Sequence, residues 1–86
     1  MTIINGKIEK IERKMAGTDY EKDEVVIRLN DDEHCKVEFR GVLMMKALKP
    51  FREGDYIQAA VKHEGKESKA SGIWYNNLIA KSVKAI

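Results

Sequence analysis

Apolar residues recur at every second position in two neighbouring segments, residues 24–30 and 34–40. This period of two is typical of a β-strand with one face toward a core, because successive side chains of a strand point to opposite faces. The polar residues 30–33 between the segments predict a tight turn, so the two strands form a β-hairpin. Its predicted inward-facing residues are Val25, Ile27, Leu29, Cys35, Val37 and Phe39.

The first segment of the chain fits two interpretations. Ile8, Ile11 and Met15 follow the spacing of a helix, but Gly6 weakens a helix and the two isoleucines before it favour a strand. We therefore predict a strand over residues 3–14. Its apolar face changes between Ile8 and Ile11, as it does at a β-bulge.

A short helix is predicted over residues 42–49, which are rich in helix formers and lie between Gly41 and Pro50. Two helical turns are too short to be stable alone, so we expect this helix to pack on the sheet and cover its open end. The adjacent methionines Met44 and Met45 leave an alternative, in which the helix offers an adaptable surface to a partner.

The second half of the chain predicts two more strands, over residues 55–63 and 73–84, joined by a long, mobile, charged loop from His63 to Gly72. Trp74 and Tyr75 lie where this loop becomes strand. Because consecutive strand residues point to opposite faces, at least one of the two rings should be exposed. The predicted core consists of Ile8, Val25, Ile27, Leu29, Val37, Phe39, Leu43, Ile57, Val61, Leu78 and Ala80.

Length and composition indicate one small domain over residues 1–86, since the 43% apolar content suits a single modest core. The one cysteine, Cys35, cannot form an internal disulfide, whereas small secreted domains usually carry several. No apolar run has the length of a membrane span and no signal peptide precedes the first strand. We expect a cytoplasmic protein that makes no membrane contact.

No catalytic or metal-binding signature is visible. His34 and Cys35 point to opposite faces of one predicted strand, and His63 is distant in sequence, so no zinc-type spacing exists. No nucleophile motif and no Gly-rich phosphate loop occurs either. We therefore expect a protein that is not an enzyme and that uses no cofactor or metal ion.

Charge is segregated along the chain although the total is only +2. Residues 19–33 carry seven acids against two basic residues, a net charge of −5, while residues 34–86 carry ten basic residues against five acids, a net charge of +5. If the fold keeps these segments apart, one surface is basic and another is acidic. A mixed, solvated surface is the alternative.

The predicted order of elements is three strands, a short helix and two strands, beginning with a long, bulged strand. In a chain of 86 residues this order resembles the OB-fold. The Gly-Asp step before the fourth strand and the ending from Asn77 to Val83 are similar to many OB-fold sequences. The resemblance implies an all-β, five-stranded Greek-key OB-fold barrel with one short helix between strands 3 and 4.

OB-folds usually bind ligands across strands 2 and 3, between the loop that joins strands 1 and 2 and the loop that joins strands 4 and 5. Here the first loop is predicted over residues 15–23. The candidate residues are Arg13, Lys14 and Tyr20 at the first loop, Arg28, Lys36 and Arg40 on the hairpin face, and Lys62, Lys66, Lys69, Trp74 and Tyr75 at the second loop.

Several of these residues have a second interpretation. The stripe of Arg28, Lys36 and Arg40 either holds phosphates or forms cross-strand ion pairs with Glu38 and its neighbours. Tyr20 either stacks on a base or packs as a lid on the end of the barrel.

The resemblance implies a non-enzymatic module that binds single-stranded DNA or RNA, with lysines and arginines on phosphates and aromatic rings on bases. The alternative is a protein-interaction or accessory-subunit OB module without direct nucleic-acid contact, which the modest net charge favours. Small OB proteins often pair through strand edges, so we expect a monomer or a homodimer.

Overall fold

The computed structural model describes residues 1–16 and 20–86, which form five strands and one helix. The elements are β1 (Thr2–Ala16), β2 (Tyr20–Arg28), β3 (His34–Arg40), α1 (Gly41–Leu48), β4 (Tyr56–Glu67) and β5 (Trp74–Ala85). The chain is therefore mostly β with one short helix, as the alternation predicts. No helix within these two ranges is long and apolar enough to cross a membrane.

The five strands form one sheet that closes into a ring in the order β1-β2-β3-β5-β4. Strand β4 pairs with β1 and completes the ring. Neighbouring strands are antiparallel except for β3 and β5, which pair in parallel at Val37–Leu78 and Glu38–Ile79. The inward faces of the strands enclose the core.

Strand β1 belongs to both sides of the ring. Its first half pairs with β4 and its second half pairs with β2. The register with β2 shifts between Ile8 and Lys10, which confirms the predicted bulge. An extra residue bends a strand and increases its twist, so the bulge lets one continuous strand pair on both sides.

The core holds most of the residues that the alternation predicts. Buried members of the predicted set are Ile8, Val25, Ile27, Val37, Phe39, Ile57, Val61 and Ala80. Leu29 and Leu78 are partly buried and pack against this cluster, as does Cys35. Ala59 and Ile79 are buried as well, although they were not among the predicted core residues.

The predicted orientation of α1 is wrong. Leu43 is 83% exposed, and Leu48, five residues further on and on a different face of the helix, is the helix residue that enters the core at 2% exposure. The half-buried Met44 also packs against the core. The helix therefore contacts β2, β3 and β5 through its later residues, while Val42 and Leu43 face outward.

Both predicted loops are shorter than expected. Strand β4 continues to Glu67, so the connection to β5 spans only residues 68–73 and the first half of the predicted charged loop is strand. At the other loop, β1 and β2 stay paired as far as Ala16 and Tyr20. Arg13, Lys14 and Tyr20 thus belong to strands, and the centre of that predicted loop, residues 17–19, lies outside the described residues.

Candidate functional site

Three rows of side chains cross the outer face of β1, β2 and β3. Residues directly opposite each other on paired strands share a face, so the strand register defines these rows. The middle row is acidic and lies between two rows that contain cations. From one row to the next they are Lys14, Lys22 and Arg40; then Glu12, Glu24 and Glu38; then Lys10, Val26 and Lys36.

The acidic row is bonded to the cations on both sides. Lys22 donates to Glu38 at 2.5 Å, and its Nζ also lies 3.4 Å from Glu24. On β1, Glu12 lies 2.6 Å from Lys10 and 3.0 Å from Lys14. Hydrogen bonds from these two lysines lower the pKa of Glu12 to about 2. The three rows form a charge-compensated ladder.

Glu38 is the most deeply placed member of this ladder, with 4% of its surface exposed. Burial alone raises the pKa of Glu38, but hydrogen bonds from Lys22 and Arg40 outweigh burial and leave that pKa below its ordinary value. The pKa of Lys22 is raised in turn, chiefly by its hydrogen bond to Glu38. The carboxylate is therefore held in its charged form by its two partners.

Four of the candidate cations are already bonded to carboxylates. Arg13 donates to Asp23 at 2.6 Å, and Lys14 contacts Glu12 in the ladder. Arg28 lies 2.9 Å from Glu9 on β1. Arg40 lies 3.3 Å from Glu38, which is on the same strand and also contacts Lys22, and 3.3 Å from Glu64 on β4. Ion pairing therefore holds for both arginines of the hairpin stripe, with Glu9 and Glu64 as the partners on other strands. A phosphate at any of these positions has to compete with a carboxylate.

The remaining stripe residue, Lys36, is only loosely paired. Its Nζ lies 3.8 Å from Glu24, and its side chain is 60% exposed.

The backbone of Tyr20 lies in β2 opposite Ala16, and its side chain is outside the described residues. Both interpretations of this side chain, stacking on a base and packing as a lid on the end of the barrel, therefore stay predictions.

Past Val61, β4 and β5 continue as an arm, which we define as residues 62–67 and 74–79; its base at Leu78 and Ile79 also pairs with β3, and the rest is two-stranded. Strand β4 pairs with β1 only as far as Val61, and from Lys62 onward it pairs with β5 alone. Trp74 and Tyr75 begin β5 in this arm and are 66% and 53% exposed. The expectation of at least one exposed ring is confirmed for both.

Three candidate lysines belong to this arm or to its connecting loop. Lys62 and Lys66 lie on β4, and Lys69 lies between the two strands. In residues 1–16 and 20–86, no carboxylate oxygen comes within 4.0 Å of the Nζ of any of them. The structure thus places the exposed rings in an arm that also carries cations without a carboxylate partner in the described ranges, and Lys66 lies directly opposite Tyr75.

An open cleft of about 530 Å³ lies where the arm meets β3. Its lining residues are Lys36, Glu38, His63, Asn76, Asn77 and Leu78. Sequence reasoning missed the two asparagines, whose amides can donate and accept hydrogen bonds. The parallel pairing of β5 with β3, which begins at Leu78, brings them beside β3, and no local pattern in the sequence indicates that position.

No protein-family model matches this sequence, and no curated protein matches it significantly. The functional argument therefore depends on the arm, the cleft and the ladder.

Proposed function

We propose that this chain is a non-enzymatic OB-fold module that binds single-stranded DNA or RNA. The closed strand order, the bulged first strand and the helix between β3 and β4 support a five-stranded Greek-key barrel of this type. Binding modules of this fold combine a cationic track for the backbone with rings for the bases.

The observation that carries the proposal is the arm. Two exposed rings, Trp74 and Tyr75, lie in the same arm as lysines without carboxylate partners in the described ranges, and Tyr75 lies directly opposite one of them, Lys66. A base stacked on an aromatic ring contributes about 1–3 kcal/mol whatever its identity. The expected binding is therefore weak and tolerant of sequence, and it weakens steeply with salt.

The test is fluorescence anisotropy of labelled oligo-dT and oligo-U with the intact protein at low salt, repeated over a salt series. We expect binding to both strands, and weaker binding to duplex DNA because its bases are already stacked. Lys66→Ala should weaken binding. Lys84→Ala is the matched control, since Lys84 is exposed on β5 opposite Gln58, far from the arm. Absence of binding at low salt would contradict the proposal.

A second candidate function is that of a protein-interaction or accessory-subunit module. It is favoured by the exposed pair Val42 and Leu43 on α1, which are 70% and 83% accessible. This function predicts no salt-sensitive binding of oligonucleotides. Sedimentation at micromolar concentration tests the accompanying proposal of a monomer or homodimer, and a larger closed ring would contradict it.

A further inference from the structure

The two faces of the arm carry different chemistry. Residues on β4 alternate between them, so Lys62, Glu64 and Lys66 lie on one face while His63, Gly65 and Glu67 lie on the other. The register with β5 is continuous from Val61 to Glu67, and it sets Tyr75 opposite Lys66 and Trp74 opposite Glu67. The two rings therefore lie on opposite faces.

The surroundings of Gly65 place Trp74 on its face independently of the register. A Cβ built on Gly65 would lie 3.9 Å from the indole of Trp74 and 3.8 Å from the side chain of Asn76. The indole thus covers the backbone at Gly65. On this face the opposing residue is the acid Glu67, and His63 bonds to Thr2 at 3.1 Å. Neither arm lysine lies on this face.

The face of Tyr75 continues onto the outer face of β3. The guanidinium of Arg40 lies 3.3 Å from Glu64, which shares the face of Lys66. Next to it, the parallel pair of Glu38 and Ile79 joins β3 to β5, and Ile79 is only 6% exposed. The surface is therefore unbroken between the arm and the strand.

Along this surface, Asn77 lies between Tyr75 and Lys36. Asn77 precedes Leu78, which pairs with Val37, so it lies beside Lys36 across the parallel pair. Both residues line the cleft at the base of the arm. An extended ligand that covers Tyr75 can reach Lys36 without crossing to the other face.

We propose that Tyr75 is the base-stacking residue and that a single strand follows the surface from Tyr75 over Asn77 to Lys36, with Lys66 and Lys62 holding its phosphates. Trp74, on the opposite face, takes no part. This inference rests on the proposed function and assigns its binding face. A polyanion that covers Trp74 is repelled by Glu67, whereas one that covers Tyr75 is attracted by Lys66. Electrostatics therefore favours binding on the face of Tyr75.

The experiment compares Tyr75→Ala with Trp74→Ala by anisotropy of labelled oligo-dT at low salt. Tyr75→Ala should weaken binding about 5- to 150-fold, the loss of one stack, and Tyr75→Phe should restore it. Trp74→Ala should change affinity by less than about 2-fold, because no stack on a base is lost there. Circular dichroism checks that each variant keeps its sheet, which is expected since both rings are exposed.

A second readout uses the intrinsic fluorescence of Trp74, the single tryptophan of the chain. Its emission should change little when the wild-type protein is saturated with oligo-dT, because no base stacks on it. Strong quenching, or a larger loss in Trp74→Ala than in Tyr75→Ala, would overturn the inference while leaving the proposed function intact. Absence of wild-type binding would overturn both.

Discussion

Gly6 is placed where a side chain has no room. It lies on the inward face of β1, and a Cβ there would clash with the side chain of Ile27 and the carbonyl oxygen of Arg28. We predict that Gly6→Ala lowers the free energy of unfolding by about 1–3 kcal/mol through overpacking. Urea denaturation measures this, with Gly65→Ala as the control.

Gly65 is a matched control because it is also a strand glycine. A Cβ at Gly65 meets its neighbours only at ordinary contact distances of 3.8 and 3.9 Å. Its replacement by Ala should change stability by less than about 0.5 kcal/mol. Equal losses of stability for the two variants would show that the close approach of Ile27 and Arg28 is not the reason why position 6 requires glycine.

Glu38 and Glu12 make the stability that the ladder contributes depend on pH. Both carboxylates have folded-state pKa values below the ordinary 4.5, with Glu12 at about 2. Their contribution is therefore present above about pH 4.5 and is lost as the pH falls through the folded-state pKa of each carboxylate, which is about 2 for Glu12. We predict that Glu38→Gln is less stable than the wild type at pH 7 and that this difference shrinks by pH 3.

Urea midpoints at pH 7, 4.5 and 3 test the ladder prediction. Glu33→Gln is the control, because Glu33 lies in the exposed turn between β2 and β3, outside the ladder. A difference between Glu38→Gln and wild type that stays constant from pH 7 to pH 3 would contradict an electrostatic role.

At the scale of elements, α1 depends on one buried anchor. A helix of eight residues gains little stability from its own hydrogen bonds, so packing decides whether it forms. Leu48→Ala should cost about 2–5 kcal/mol of unfolding free energy, because the side chain is 2% exposed. Leu43→Ala, the same change at an 83% exposed position, should cost less than about 0.5 kcal/mol.

Urea denaturation compares these two leucine variants directly. A larger loss for Leu43→Ala would mean that the helix packs through its other face, as the sequence alone predicted. The prediction failed there because the apolar residues of a two-turn helix occupy most of its circumference. The chain entering from β3 and leaving toward β4 sets the rotation of the helix.

The arm shows why strand ends are difficult to predict. Strands β2 and β3 bury one face in the ring, so their apolar residues alternate and the sequence reveals them. The outer part of the arm is solvated on both faces, and residues 63–67 therefore look like a charged loop. Backbone pairing with β5, not side-chain burial, makes this segment a strand.

At the scale of the whole molecule, ion pairing limits how many cations can serve a polyanion. Of eight candidate cations, only Lys36, Lys62, Lys66 and Lys69 lack a close carboxylate partner among the described residues. Each phosphate contact on a single strand contributes about −0.7 to the slope of log affinity against log salt. The four lysines therefore predict a slope of about −3. Eight free cations would give about −6.

A salt series with labelled oligo-dT measures this slope. Lys66→Ala should make it shallower by about 0.7 units, whereas Arg28→Ala should leave it unchanged because Arg28 is bonded to Glu9. A wild-type slope near −6, or a shallower slope in Arg28→Ala, would show that the ladder and its neighbouring pairs open for the ligand.

The sequence by itself determined the features that depend on neighbouring residues. These are the alternation of β2 and β3, the turn between them, the bulge of β1, the place of the helix and most of the core. Local spacing encodes them, because burial of one face imposes a period on the chain.

Tertiary structure alone decided which charges are free and which ring shares a face with lysines. The acidic row arises where three strands align their glutamates, and the face of Tyr75 becomes continuous with β3 through a parallel pairing between residues 41 positions apart. Such register depends on how the ring closes. Because ring closure joins segments that are remote along the chain, no local pattern in the sequence reports it.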